Sequence, residues 1–396
     1  MNRIFIILII LVLFSNSLEF DNNLSTSSDY SLLLDKIRND VINEALLNLP
    51  NRENTDLLKM CIEMSKTKEK YSLNDPESAY LVYKWIADNI KYNCLNPKLN
   101  ESPSTVFKEG KSGSIGIAAL FNNMCTFMKI ESNTISGRTK MEFNNIEQPI
   151  DELENDWNYI LIDDNYYLID VPMGAGDCLD DDFSKDYSNF FFGTKPEIFI
   201  RWHFPEDSKW QLLPKTITAK EFTSMIYLDS NFYIFGFKDV EPDSFNITVK
   251  EDTKIILTFD ELSNDFDIDY CLVKYENKDF NNLCSKNNLT ISKGILEIQL
   301  DSIDKAYKFL GIRGRNTTYP PSHTELILLL RLDIPENGDI ALSQYNSSQF
   351  LYTYKNNMNL FPKKAFLGKK KDDLKNRKTK DYSLFMNNQN NKRKES

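Results

Sequence analysis

The apolar pattern along the chain passes through three regimes. An unbroken apolar run fills positions 4–14, and a Ser/Asn/Asp-rich stretch follows over 18–28. From Leu32 the period becomes helical: Leu32, Leu33, Ile37, Val41, Ile42 and Ala45 share one face, and a second helix is predicted over roughly 54–67, with Pro50 between the two. Asp75-Pro76 reads as the cap and first residue of a third helix, whose apolar face is Ala79, Val82, Trp85, Ile86 and Ile90. Positions 92–100 read as a loop, and 112–130 as a Gly-Ser turn entering a strongly apolar helix. Strands are predicted at 159–162 and 166–171, joined by the turn Asp163-Asp164-Asn165.

From about 215 the period shortens to that of strands, at 232–237, 247–249, 254–259, 270–275, 295–300, 307–312 and 326–332. Seven short strands with turn residues between them predict a β-sandwich. The expected fold class is therefore α+β. A helical segment occupies 18–75, a mixed domain 76–214, a β-sandwich 215–345, and a linker with a basic tail 346–396. At 396 residues, 41% hydrophobic and 12% aromatic, the chain has enough apolar mass for such cores. That balance excludes collagen-like, coiled-coil or wholly disordered chains.

Charge and compartment change the picture next. The net charge of −11 argues against a body built for nucleic acid. Positions 363–396 nevertheless carry +8, a tail read as solvated, with adhesion to an anionic surface as its functional alternative. Arg3 before the apolar run and Ser15-Asn16-Ser17 after it predict a signal peptide over 1–17, since the run falls short of the ~20 residues that span a bilayer. Secretion, with no transmembrane helix left after cleavage, follows as an expectation. Sequons at Asn23, Asn100, Asn246, Asn288, Asn316 and Asn346 fit a glycoprotein. Cys61, Cys94, Cys125, Cys178, Cys271 and Cys284 allow three disulfides, and Cys271 with Cys284 is the preferred local pair.

The chemistry concentrates in 76–214. A Gly-Ser turn enters a buried helix, a Trp-Asn pair lies on one strand, and an Asp ends the next. This is the order of nucleophile, base and orienter in papain-like acyl-transfer enzymes, where the helix N-terminus lowers a thiol pKa and supplies N–H groups to the oxyanion. The stretch AYLVYKWIADNIKY at 79–92, Thr105-Val106-Phe107, KSGSIGIA at 111–118, ISGRTK at 135–140, Asn155-Asp156-Trp157-Asn158, Leu168-Ile169-Asp170, Phe191-Phe192, His203-Phe204-Pro205 and Trp210-Gln211-Leu212-Leu213 follow one another. Together they resemble the transglutaminase-like domain of the kyphoscoliosis-peptidase and hillarin type, over about 140 residues. The resemblance implies a papain-like transglutaminase core and, more weakly, an Ig-like character for the β-rich part.

Residue by residue, the resemblance places the family's cysteine nucleophile on Ser114 and its histidine on Asn155, and keeps the acid at Asp170. A serine hydroxyl needs a base, and an amide cannot take a proton at neutral pH. The expectation is a catalytically inactive, secreted pseudoenzyme that binds an extracellular or cell-surface protein or glycan, or serves a structural role at a cell surface. The alternative is a weak or altered hydrolase using Ser114 with Asp170 and possibly His203. His203 itself is read as a structural hydrogen-bonding residue, Cys125 as core or disulfide, Trp157 as core packing and His323 as surface. The acidic residues Asp177, Asp180, Asp181, Asp182 and Asp186 are read as a solvated loop. No cofactor and no metal are expected.

Overall fold

The computed structural model describes residues 30–140, 154–179, 182–250, 252–260, 266–276, 279–300, 303, 307–316 and 325–333. The expected signal peptide, Asn23, Asn346, His323, Asp180, Asp181 and the basic tail lie outside them. Among the described residues no helix is long and apolar enough to cross a membrane.

The chain begins with helices α1 (Asn39–Leu47), α2 (Leu57–Tyr71) and α3 (Asp75–Asn89). α2 starts where the Asp56 side chain accepts the Lys59 N–H, and stops at Ser72 in the left-handed region, φ 49°. The cap of α3 is Asn74 rather than Asp75. Its side chain accepts the Glu77 N–H, and the Glu77 carboxylate returns to the Asn74 N–H, so a capping box moves the boundary by one residue. α3 is buried all round from Pro76 to Ala87 rather than along one face, because neighbours cover every side of it. Glu77 is fully buried and holds Arg38 through both oxygens, at 2.5 and 2.6 Å.

β1 (Lys91–Tyr92) pairs in parallel with β2 (Lys111–Ser112), and α4 (Pro103–Glu109) lies between them in sequence. The apolar helix α5 (Ser114–Phe127) follows. Then come β3 (Glu131–Thr139), β4 (Glu154–Ile162), β5 (Asn165–Ile169), the short α6 (Val171–Ala175), the hairpin β6 (Gly176–Leu179) and β7 (Asp182–Lys185), β8 (Phe192–Thr194), α7 (Pro196–Phe199) and β9 (His203–Pro205). Five of these strands form an antiparallel sheet in the order β8-β5-β4-β3-β9. The two-residue alternation of its strands divides the core. Ile160 and Ile162 pack with Ile117, Leu120, Phe121 and Met124 of α5, whereas Ile135, Trp157 and Leu168 join Phe190, Phe191, Phe199 and Trp202 in a separate aromatic cluster. The residues expected as an acidic loop include the β6–β7 hairpin. Its first strand carries Cys178, disulfide-bonded to Cys94.

The β-rich part opens with α8 (Ala219–Ser224), β10 (Tyr227–Leu228), α9 (Ser230–Ile234), β11 (Phe237–Glu241) and β12 (Asn246–Thr248). The strand expected at 232–237 is thus a short helix followed by the true strand. Asp229 accepts the Asn231 N–H and caps α9, and Gly236 at φ 92° turns the chain out of it, so local capping overrides the apolar run. β13 (Lys254–Phe259), β14 (Phe266–Glu276), β15 (Asp279–Ser285), β16 (Leu289–Ser292), β17 (Ile295–Gln299), β18 (Tyr307–Asn316) and β19 (Glu325–Asp333) complete two sheets, ordered β10-β19-β18-β14-β15 with β12 added on β19, and β11-β13-β17-β16. One core joins them, with Ile255, Leu257, Leu296 and Ile298 from one sheet and Ile268, Leu310, Ile312 and Leu330 from the other. Cys271 is disulfide-bonded, and Cys284 is its register partner across β14 and β15. Cys61 and Cys125 are free and buried, so the six cysteines do not make three bridges. Asn100, Asn246 and Asn288 are exposed.

The seam between the two parts is polar as well as aromatic. Arg201 grips Asp243 through two contacts of 2.7 Å, and Phe190 and Trp202 pack on Tyr233. Lys140, only 3% exposed, donates to the Phe222 carbonyl and lies 4.2 Å from the centre of the Phe222 ring. Burial, assisted by nearby Arg201 and opposed by Asp243, brings its pKa down from 10.5 to about 7. The unfolded chain then binds more protons than the folded one between about pH 7 and 10.5, so this lysine makes stability rise with pH across that window. The slope it adds is at most ~1.4 kcal/mol per pH unit. Urea unfolding between pH 6 and 10 should show that rise in the parent protein, and Lys140→Met should remove it while raising stability near pH 7.

Candidate functional site

Two of the aligned positions, Ser114 and Asn155, lie where α5 begins beside β4. Gly113 is the N-cap and Ser114 the first helical residue, 2% exposed. β4 is paired to β3 at Ser136↔Asp156 and Gly137↔Asn155, but its pairing to β5 starts only at Asn158. The start of β4 therefore has an open edge, and there the Asp156 N–H donates to Ser114 Oγ at 3.4 Å. Further along, Asn158 Nδ2 donates to the Ala118 carbonyl of α5 at 3.0 Å, which pins the strand to the helix. Burial pushes the Asp156 carboxyl up, partly offset by its hydrogen bond with Ser136.

Asn155 turns away from proton transfer. Its Nδ2 donates to Thr139 Oγ1 at 2.9 Å, and its Oδ1 is a buried acceptor without a hydrogen bond. Asp170 is also committed. It ends β5 and caps α6, with Oδ1 accepting the Met173 N–H at 2.8 Å. Oδ2 lies 2.8 Å from His203 Nε2, and neither side chain is exposed.

His203 reaches Asp170 because β9 pairs with β3, placing His203 opposite Thr139. Its Nδ1 faces the Phe199 carbonyl at 3.3 Å. The ring is stacked on Phe199 at 3.7 Å and meets the Trp157 edge at 4.9 Å. Both ring nitrogens thus face acceptors within the pair's own surroundings, and aromatic rings hold the imidazole in place. A base that activates a hydroxyl needs a free lone pair directed at it. The arrangement brings Ser114 and the Asn155–Asp156 backbone together and joins Asp170 to His203, but it does not assemble serine, base and acid into a relay.

The remaining sequence candidates are structural. Trp157 is buried as expected. Cys125 is a free core thiol whose pKa is raised by burial, first by desolvation and then by Cys61. Cys61 itself is pushed up to about 11, so neither favours the thiolate. Among the described residues no group of three or more His, Cys, Asp or Glu side chains is placed to hold a metal ion. Sequence reasoning flagged His203 as structural yet missed its partner, since 33 residues and two strands separate it from Asp170. It also passed over Asp156 and Asn158 within the strand motif. Their alternation toward α5, opposite to Asn155 and Trp157, was the available signal.

This helix-on-sheet core with its three aligned positions is a transglutaminase-like domain, and the relatives of the chain agree. Human kyphoscoliosis peptidase is 27% identical over 177 residues, 43% of this chain and 27% of that protein. The Caenorhabditis elegans Lim and transglutaminase domain protein ltd-1 is 22% identical over 194 residues, 45% of this chain and 27% of that protein. Drosophila melanogaster hillarin is 22% identical over 242 residues, 57% of this chain and 28% of that protein. The chain thus spans about a quarter of the length of these relatives. No family model matches it. A solved TGase structure aligns at a TM-score of 0.23 with 10% identity, over 48% of this chain and 44% of that one.

The commitment of Asp170 generates a stability prediction. Asp170→Ala removes a helix cap and leaves a buried imidazole nitrogen unanswered. By the usual size of those two effects it should lower the unfolding free energy by about 2–4 kcal/mol in urea titration. An equal loss is expected whether or not any acyl substrate is present.

Proposed function

We propose that the chain is a secreted transglutaminase-like pseudoenzyme that works as a binding or structural protein. The observation that carries this reading is the closed Asp170–His203 pair beside an Asn155 bonded to Thr139, with Ser114 Oγ resting on a backbone N–H. Losing nucleophile and base together costs about 10⁴-fold or more in rate in comparable triads. The alternative, a hydrolase using Ser114 with Asp170 and His203, requires a His203 nitrogen to leave Asp170 or Phe199. The peptidase activity named for the relative belongs to that protein.

Export is supported by the Cys94–Cys178 disulfide and by the exposed sequon residues Asn100, Asn246 and Asn288, in keeping with the N-terminal signal. The two-sheet β region is read as Ig-like. It offers surface to an extracellular or cell-surface protein or glycan, and the basic tail adds affinity for anionic surfaces.

The test compares the native protein with the double variant Ser114→Cys, Asn155→His. The native protein should neither hydrolyse acyl substrates nor transfer them to a small amine. The variant thiol should be alkylated with a pH inflection below the ordinary 8.5 of a free cysteine. Acyl transfer by the native protein overturns the reading.

A further inference from the structure

The segment 93–100, between β1 and α4, lies across the start of α5. The Ser114 N–H donates to the Pro97 carbonyl at 3.2 Å. Ser112 Oγ meets the Leu99 carbonyl at 3.5 Å. Gly113 leaves the room for this: a Cβ there would overlap the Pro97 carbonyl and crowd Leu99 N. Lys98 pairs with Glu154 at 2.7 Å, so the segment is tied to the start of β4 as well as to the start of α5. Its first turn is held by the Asn93 carbonyl and side chain, both of which accept the Asn96 N–H. At its root Cys94 is bonded to Cys178 of the β6–β7 hairpin.

We infer that 93–100 is an autoinhibitory strap. It occupies the site in cis, with the Pro97 carbonyl taking the place at the α5 N-terminus that the acyl oxygen of a peptide or carboxamide ligand would take, and the Cys94–Cys178 bond holds it there. The first N–H groups of a helix have no partner inside it, and they are the donors a developing or bound acyl oxygen uses. Here the Ser114 donor is spent on the chain's own carbonyl. The inference rests on reading α5 as the former nucleophile helix, and adds regulation to that site.

Release follows from thiol–disulfide exchange with an external dithiol. One thiolate of the dithiol attacks a sulfur of the Cys94–Cys178 bond, which breaks. The second thiol resolves the mixed disulfide. The dithiol leaves as a cyclic disulfide, having supplied two electrons, and two protons end on Cys94 and Cys178. Lys98–Glu154 is half-exposed, a surface pair of small energy, so the covalent staple and the backbone hydrogen bonds of 93–99 are the main restraints.

The test is hydrogen exchange on the full chain, read at the Ser114 amide and over 93–100. Two variants are compared with the parent: Cys94→Ser with Cys178→Ser, which cuts the staple, and Gly113→Ala, which evicts the strap with the disulfide intact. Gly113 sits at φ −74°, which alanine adopts freely, so its variant acts through the strap rather than through backbone strain. Each variant should speed exchange at those positions by about tenfold or more while α3 stays protected. Parent-like exchange at Ser114 in Gly113→Ala overturns the strap. Should a variant fail to fold, the parent treated with dithiothreitol decides in the same way: faster exchange at Ser114 and 93–100 supports the strap, and unchanged exchange overturns it. Acyl transfer appearing once the strap is released would overturn the pseudoenzyme reading and leave the strap standing. Unchanged exchange in an inert protein does the reverse.

Discussion

A carboxylate with no exposed surface must have its oxygens answered by the protein, and Asp170 is the point from which the rest of the site is arranged. One oxygen starts α6 and the other takes the imidazole of His203. Those two bonds tie the end of β5 to β9 across the sheet and fix the floor of rings formed by Trp157, Phe191 and Phe199. Each oxygen of the carboxylate thus has a partner within the fold. Asn155 likewise makes a hydrogen bond within the sheet.

The sheet separates two kinds of packing. On one face α5 lies along the strands and buries aliphatic side chains, which places its N-terminus at the open edge of β4. On the other, aromatic rings from the 190–202 segment fill the space and continue to Tyr233 at the start of the β-rich part. The placement of the start of α5 against β4 therefore rests mainly on hydrophobic packing. The strap uses the same feature, the unsatisfied N–H at the helix start, and satisfies it with a carbonyl from the chain itself.

Local patterns made much of the fold legible. The helical period over 41–45, the run into α5 and the alternation of β13, β17 and β19 lie in positions that depend on near neighbours, and the structure places elements there, whereas 32–38, read as helical, holds only bends and one 3-10 turn, with Leu32 exposed. The misreadings were also local competitions. At 232–237 an apolar run that fits a strand loses to a capped turn of helix ended by Gly236, and at α3 the capping box of Asn74 and Glu77 moves the boundary by one residue. The edges of sheets were harder to read. β11, β15 and β16 are supported by pairing with neighbours more than by a strong apolar period of their own.

The sequence by itself determined that Ser114, Asn155 and Asp170 follow one another within their motifs, because residue type and order along the chain are all that a motif needs. Only the tertiary structure decided what those residues do instead. His203 meets Asp170, Lys140 enters the seam, and Pro97 answers Ser114 because strands and loops far apart in the chain are folded against one another. Burial and hydrogen-bond partnership are properties of that packing. No spacing along a single chain carries them, which is why the residue types were readable and their contacts were not.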